Sequence, residues 1–148
     1  MTTVTPLLLI TKDPSHPLAE LALRYARAFV EQAAEVNTSN QTQISDNSEV
    51  ACTPLKLFFY ADAAHMANRL RWQSADQANL TQQWQALAQR YKLPLAVCVS
   101  TALSRGVSDS DNSARHQLQG DNVAQGFDLV GLSDLAMMMQ SDCRLIQF

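Results

Sequence analysis

The chain alternates between short, mainly apolar runs and longer segments with apolar residues at helical spacing. The short runs occupy residues 6–10, 55–60, 94–99 and 144–148. An apolar run of this length, bounded by turn residues, is typical of a strand that is covered on both faces. We therefore predict that these four runs are strands.

Helical periodicity fills the segments between the predicted strands. Residues 18–29 are predicted to form an amphipathic helix with Ser15 as its N-cap, and residues 80–91 to form a second helix. A last helix is predicted from a cap at Ser133 to Gln140. Strands that alternate with helices predict βαβ units. The expected fold is α/β, a three-layer α/β/α sandwich with a mainly parallel sheet of about five strands, in a single domain over residues 1–148.

Two segments are less regular. Residues 34–53 are rich in Asn, Ser, Gln and Thr, and a loop this long is unusual in a compact domain, so they are predicted to form a polar surface insertion. Residues 108–125 are predicted to be mostly loop.

The run Met137-Met138-Met139 is predicted to face the core, with a subunit contact as the alternative. Trp72 precedes a polar stretch, and an exposed tryptophan there would indicate a contact site.

Composition excludes several classes of function. The net charge of −3 provides no basic surface for direct nucleic-acid binding. No apolar run approaches the roughly 20 residues of a membrane-spanning helix. The apolar N-terminal stretch has no basic segment before it, which argues against a secretory signal. We therefore expect a cytoplasmic protein with free thiols.

The chain has three cysteines, Cys52, Cys98 and Cys143, whose spacing matches neither a zinc site nor a Cys-x-x-Cys pair. Cys98 is the candidate for catalysis because it ends a predicted parallel strand, where reacting groups gather in open α/β sheets. A helical turn over residues 100–105 would direct N–H groups towards it and favour the thiolate, and Arg105 could add positive charge. Such a role requires a thiol that is both ionised and reachable.

The opposing interpretation is that Cys98 only fills the core, as most cysteines in apolar strands do. The chain would then be a non-catalytic scaffold subunit. No metal is expected, because His16, His65 and His116 form no ligand pattern. No organic cofactor is expected either. Residues 11–17, after the first strand, contain no glycine, which argues against a nucleotide- or flavin-binding turn.

Several segments resemble the DsrE-like sulfurtransferases, over residues 55–148 most clearly and more weakly over residues 6–33. The most specific is Val97-Cys98-Val99 with its continuation Arg105-Gly106-Val107. The other matching residues are Phe58-Phe59-Tyr60, Ala67-Asn68, Leu70, Trp84, Ala102-Leu103, Asn122, Gly126-Phe127, Leu129, Gly131-Leu132, Leu135 and the ending Arg144 to Phe148.

The resemblance implies that Cys98 is the family's catalytic cysteine and carries a persulfide. It further implies a sulfur-relay subunit that takes sulfur from a donor carrier protein and passes it to an acceptor protein, towards 2-thiolation of the wobble uridine of tRNA. Relatives of this type assemble with two paralogous subunits as a dimer of heterotrimers. The implied assembly is therefore such a hexamer, with a homo-oligomer as the alternative.

Overall fold

Five parallel strands form one sheet in the order β4-β3-β2-β1-β5 in a computed structural model that describes residues 4–39 and 53–148. Every pairing between neighbouring strands is parallel. The strands are β1 (Thr5–Ile10), β2 (Lys56–Phe59), β3 (Leu95–Cys98), β4 (Phe127–Val130) and β5 (Cys143–Gln147). Four of them coincide with the four predicted apolar runs, and β4 was not located from the sequence.

Helices cover both faces of this sheet, which confirms the predicted three-layer α/β/α class. The helices are α1 (Pro17–Ser39), a 3₁₀ helix (Ala61–Ala67), α2 (Leu80–Tyr91), α3 (Val99–Leu103), α4 (Ser110–His116) and α5 (Leu132–Gln140). The larger core cluster joins α1, α2 and the 3₁₀ helix to one face of the sheet. On the other face a smaller cluster is covered by α5.

Strand alternation divides the apolar residues between these two clusters. Leu8 of β1 points into the larger cluster, and its neighbour Leu7 points into the smaller one. Phe59 of β2 makes edge-to-face contacts with Trp84 of α2 at 5.3 Å and with Phe127 of β4 at 5.5 Å between ring centroids. Such aromatic pairs add to the burial energy and hold the sheet against α2.

One predicted boundary is wrong, and one segment that is mostly loop, as predicted, also contains a short helix. Helix α1 continues to Ser39, so the first residues of the expected insertion at 34–53 are helical. Ala34 and Glu35 are good helix formers, and the hydroxyls of Thr38 and Ser39 donate to the carbonyl oxygens of Ala34 and Glu35 in the last turn. Residues 40–52, with Cys52, lie outside the described part of the chain. The predicted loop at 108–125 contains α4, which Asp109 caps by accepting from Asn112 N–H at 2.8 Å.

Both predicted N-caps are also wrong. Ser15 donates to Asp13 instead, and His16 accepts from the Leu18 N–H at the start of α1, at 3.1 Å. Ser133 lies inside α5, whose N-cap is Gly131. Each cap lies one or two residues from the predicted position, so the helices themselves are where the pattern predicts them.

Candidate functional site

Cys98 lies where the sequence predicts it, as the last residue of β3 and the N-cap of α3. Strand β3 lies between β4 and β2, and Cys98 is paired with Val130 of β4. The chain turns from strand to helix directly after the thiol, with Cys98 itself extended at φ −60° and ψ 117°. The cysteine therefore stands at the carboxyl edge of the sheet, where open α/β folds place reacting groups.

Hydrogen-bond donors from the first turn of α3 surround the sulfur. The Cys98 Sγ lies 3.2 Å from the Ser100 Oγ. Burial, the largest single influence, raises the pKa of the Cys98 thiol, whereas side-chain and backbone hydrogen bonds from Ser100 and Thr101 lower it. Together the hydrogen bonds outweigh burial, so the pKa lies below the ordinary value for cysteine. This geometry favours the thiolate, which is the nucleophilic form.

The thiol is not reachable in this conformation of the single chain. Cys98 has 0% exposure and belongs to the smaller core cluster, with Phe58 and Ala96. Its hydrogen-bond partner Ser100, by contrast, is exposed. The sulfur thus lies one hydrogen bond below the surface, and the access that a catalytic role requires is absent from this state.

Arg105 does not supply charge directly to the thiol, contrary to the expectation from its sequence position. Its guanidinium forms an ion pair with Asp62 of the 3₁₀ helix at 2.9 Å. The predicted helical turn over residues 100–105 is present as α3, and Gly106 follows it at φ +74°, the left-handed conformation expected of a glycine that ends a helix.

Cys143 is far from Cys98. It is half-buried at the start of β5, where it pairs with Thr5, and its Sγ is 3.9 Å from the Met139 carbonyl oxygen. Strands β3 and β5 are three positions apart, and the register places Cys98 six residues further along the strand direction. With the usual spacing between strands and rise per residue, the two cysteines are roughly 24 Å apart. A disulfide needs Cα atoms within about 7 Å, so these two cysteines cannot pair.

The histidines do not come together as a site. His16 caps α1, His65 lies in the 3₁₀ helix and His116 ends α4. Within residues 4–39 and 53–148, no group of three or more His, Cys, Asp or Glu side chains is arranged to hold a metal ion.

Two exposed apolar surfaces lie outside the thiol site. Trp72 is 82% exposed, as predicted. The methionine run does not face the core as predicted, because α5 has no fully buried residue and Met137 and Met139 are 59% and 50% exposed. Only Met138 packs against the smaller core cluster. An open groove of about 480 Å³ lies beside α5, lined by Lys56, Pro94, Ala96, Asp128, Val130, Asp134, Met137 and Met138.

The sequence did not indicate two contributors to the site. The hydroxyl of Ser100 hydrogen-bonds the sulfur and that of Thr101 donates to the Cys98 carbonyl oxygen, whereas only backbone donors were expected there. The Ser-Thr pair directly after the cysteine was the available signal, because small hydroxyl residues in a first helical turn readily bond to the preceding position. The second contributor that the sequence did not indicate is Asp62, because no sequence pattern links it to Arg105.

The fold and the site together define the class: a parallel α/β sheet with a free cysteine at its carboxyl edge, within hydrogen-bond distance of a serine hydroxyl. Residues 7–148 match the model of the DsrE/DsrF-like family. The chain belongs to this family, and the resemblance described from its sequence is confirmed. In the described part of the chain, no helix is both long and apolar enough to cross a membrane.

Its relatives include proteins named sulfurtransferase TusD. The one from Sodalis glossinidius is 34% identical over 130 residues, covering 88% of this chain and 86% of the relative. The one from Proteus mirabilis is 41% identical over 93 residues, covering 63% and 72%. The chain is therefore a TusD-like member of the family, in the sulfurtransferase class that the sequence predicts.

A solved structure supports the fold independently. The ychN protein from E. coli superposes with a TM-score of 0.67, covering 97% of this chain and 99% of that one. The two sequences are 18% identical, so this likeness concerns the fold alone.

Proposed function

We propose that the protein is a sulfur-relay subunit that carries a persulfide on Cys98. The supporting observation is the hydrogen-bonded thiol at the end of β3, whose donors favour ionisation despite complete burial. A sulfur carrier needs a thiolate that can attack a sulfane sulfur and later leave again, and a lowered pKa serves the second step in particular.

The transfer balances without an external oxidant. The Cys98 thiolate attacks the terminal sulfur of a donor persulfide, its new S–S bond forms, and the donor's S–S bond breaks to release the donor thiolate. The terminal sulfur keeps its proton or gives it to solvent. An acceptor thiolate then attacks that same terminal sulfur, and Cys98 leaves as thiolate. Sulfur moves from one cysteine to the next with no net change in oxidation state.

The separation of the cysteines favours relay over disulfide chemistry. If Cys143 lay beside Cys98, it could attack the inner sulfur and release the cargo as hydrogen sulfide, leaving a disulfide. At roughly 24 Å it cannot do so. A persulfide on Cys98 is therefore protected from attack by Cys143.

Burial of Cys98 requires that access accompany partner docking. The exposed Ser100 lies over the sulfur, so a small movement of the first turn of α3 would uncover it. The same cover shields the persulfide from solvent between transfers. The exposed Trp72 provides an apolar anchor of the kind found at docking sites, and we assign it to contact with a relay partner.

The relatives' name and the family resemblance indicate the pathway. The donor is a small sulfur-carrier protein, the acceptor is a second relay protein, and the sulfur goes to C2 of the wobble uridine of tRNA. The net charge of −3 fits a subunit that does not itself bind nucleic acid. The relay is assigned to the cytoplasm.

We assign the exposed face of α5 to assembly with two paralogous subunits in a dimer of heterotrimers, or with further copies of this chain. Leu132, Met137 and Met139 on this helix are about half exposed in the single chain, and Leu145 of β5 is 43% exposed. Met137 and Met139 are two positions apart and lie on different sides of α5, so the assigned interface is the outer surface of the helix as a whole. Exposed apolar surface of this kind marks subunit interfaces.

A two-step transfer experiment tests the relay. The protein is incubated with a donor carrier loaded with labelled sulfane sulfur, separated from it, and then mixed with the acceptor protein. We expect label to bind in the first step and leave in the second. If label binds but never transfers to an acceptor thiol, the protein is an end point and the relay is wrong.

Complete burial of Cys98 favours one alternative, a scaffold subunit whose thiol only fills the core. Alkylation of the assembled complex distinguishes the two, with the half-buried Cys143 as the reference within the same chain. A carrier thiol reacts near neutral pH at least as fast as Cys143 once a relay partner is docked. A scaffold thiol stays unmodified until the protein unfolds.

Replacement of Ser100 by alanine tests the hydrogen bond to sulfur. We expect the pH midpoint of Cys98 alkylation to rise and its rate at neutral pH to fall about 3- to 10-fold, because a hydrogen bond with a net value of about 1 kcal/mol is lost. The plateau rate at high pH should not fall, because Cys98 is fully ionised there in both proteins.

The control for this variant is Ser110→Ala, at the exposed start of α4. It should leave the midpoint unchanged. An unshifted midpoint in Ser100→Ala would show that the Ser100 hydroxyl does not stabilise the thiolate.

A further inference from the structure

Arg105 connects the two segments that flank the carboxyl end of β3. Its Nε donates to Asp62 Oδ1 at 3.0 Å, and its Nη2 lies 2.9 Å from the same oxygen. Its Nη1 donates to the Thr101 carbonyl oxygen and the Ser104 Oγ, both at 3.2 Å. All three guanidinium nitrogens are thus engaged, two with the 3₁₀ helix and one with α3 and the residue that follows it.

This arrangement leads back to the thiol through one residue. Thr101, whose carbonyl oxygen accepts from Arg105, also donates its hydroxyl to the Cys98 carbonyl oxygen at 3.2 Å, and it follows Ser100, whose hydroxyl is 3.2 Å from the Cys98 sulfur. The orientation of the Thr101 peptide therefore depends on contacts at both ends. The Arg105 side chain is 27% exposed and that of Asp62 62%, so both are open to substitution without disturbing the core.

We propose that Arg105 and Asp62 are positioning residues for sulfur transfer: their ion pair fixes the first turn of α3 so that Ser100 and Thr101 face the Cys98 sulfur. The inference rests on the proposed function, because it assigns these residues a part in the reaction of that thiol. Neither residue touches the reacting sulfur.

The sign of one substitution separates positioning from simple electrostatics. If Arg105 acted on the thiol through its charge, removal of the neighbouring Asp62 charge would favour the thiolate and lower the pH midpoint. If the pair acts by positioning, Asp62→Asn loosens the turn, weakens the hydrogen bonds to sulfur and raises the midpoint. Arg105→Gln raises the midpoint under either mechanism, so Asp62→Asn is the decisive variant.

The matched control is a second Arg–Asp pair on the chain. Arg69 and Asp121 form an ion pair at 3.1 Å with half-exposed side chains, but neither residue hydrogen-bonds α3. Arg69→Gln therefore removes an ion pair of the same kind without loosening the turn that holds the sulfur.

The test uses the full chain with Cys52 and Cys143 replaced by serine, so that Cys98 is the only thiol that titrates. Thiolate absorbance in the ultraviolet is followed against pH, together with the alkylation rate at neutral pH. We expect a raised midpoint and a rate about 2- to 5-fold lower in Asp62→Asn and in Arg105→Gln, in keeping with the energy of a partly exposed ion pair.

The reciprocal exchange Asp62→Arg with Arg105→Asp should recover part of the loss, and Arg69→Gln should show no shift. An unchanged or lowered midpoint in Asp62→Asn overturns the proposal, as does an equal shift in Arg69→Gln. The titration needs no sulfur donor. If the midpoints shift as expected but Cys98 accepts no sulfur, the positioning of the thiol stands and the relay is wrong. If Cys98 accepts sulfur but the midpoints do not shift, the relay stands and the positioning role is overturned.

Discussion

Cys98→Ser is expected to lower sulfur acceptance from a persulfide-loaded donor by about 1,000-fold or more, as loss of an essential nucleophile does. Serine has nearly the size of cysteine and fits the same buried position, so the fold should persist. Its hydroxyl is not ionised near neutral pH and cannot form a persulfide. The measurement is labelled sulfur bound per protein after the donor is removed.

Cys143→Ser provides the matched control for this variant. Cys143 lies on the same face of the sheet but at the opposite edge and cannot exchange with Cys98. Acceptance should be unchanged in this variant. If Cys98→Ser still accepts sulfur at the normal rate while its thermal unfolding matches that of the unmodified chain, the mechanism assigned to Cys98 is wrong.

Met137→Asp is expected to prevent assembly without unfolding the chain. Met137 is 59% exposed on α5, so an aspartate there is solvated in the isolated subunit. In a subunit interface the same carboxylate would be buried without a partner, at a cost of several kcal/mol, which weakens association by about 100-fold or more. The molar mass of the coexpressed complex, measured by light scattering, reports the result.

The control is Leu21→Asp on α1, at a residue that is 46% exposed and remote from α5. It should leave the assembly intact. If both variants assemble normally, α5 is a solvent-exposed face and the subunits meet elsewhere. If Met137→Asp unfolds the isolated chain, α5 contributes more to the single chain than its exposure indicates.

Most of the sheet could be predicted because β1 and β3 are apolar runs covered on both faces, and β2 and β5 are short runs in which apolar residues predominate. Strand β4 could not, since it has four residues and Asp128 is one of them. It lies at the edge of the sheet, where one side of the strand has no neighbour and a polar residue is tolerated. Its register with β3, residue for residue opposite Leu95–Cys98, becomes visible only in three dimensions.

The methionine run shows a different limit. Apolar residues at helical spacing predict a buried helix face, but they do not say whether the burying surface belongs to the same chain. Leu135 and Met138 pack against the sheet, whereas Met137 and Met139 point away from it. The alternative of a subunit contact, left open by the sequence, now accounts for those two residues better than core packing does.

The position of Cys98 followed from the rule that parallel strands present reacting groups at their carboxyl ends. Its complete burial did not follow, because the cover comes from residues distant in sequence as well as from the adjacent turn. The ion pair between Arg105 and Asp62 could not be predicted either, because the two residues are 43 positions apart. Contacts of that range depend on how the loops meet above the sheet.

Peptide mapping of the sulfur-loaded protein tests the central claim most directly. The unmodified chain is exposed to a persulfide-loaded donor, its free thiols are blocked, and each cysteine peptide is examined by mass spectrometry. The account predicts one added sulfur on the peptide that contains Cys98 and none on the peptide that contains Cys143. Sulfur on Cys52 or Cys143 with Cys98 unmodified would contradict it.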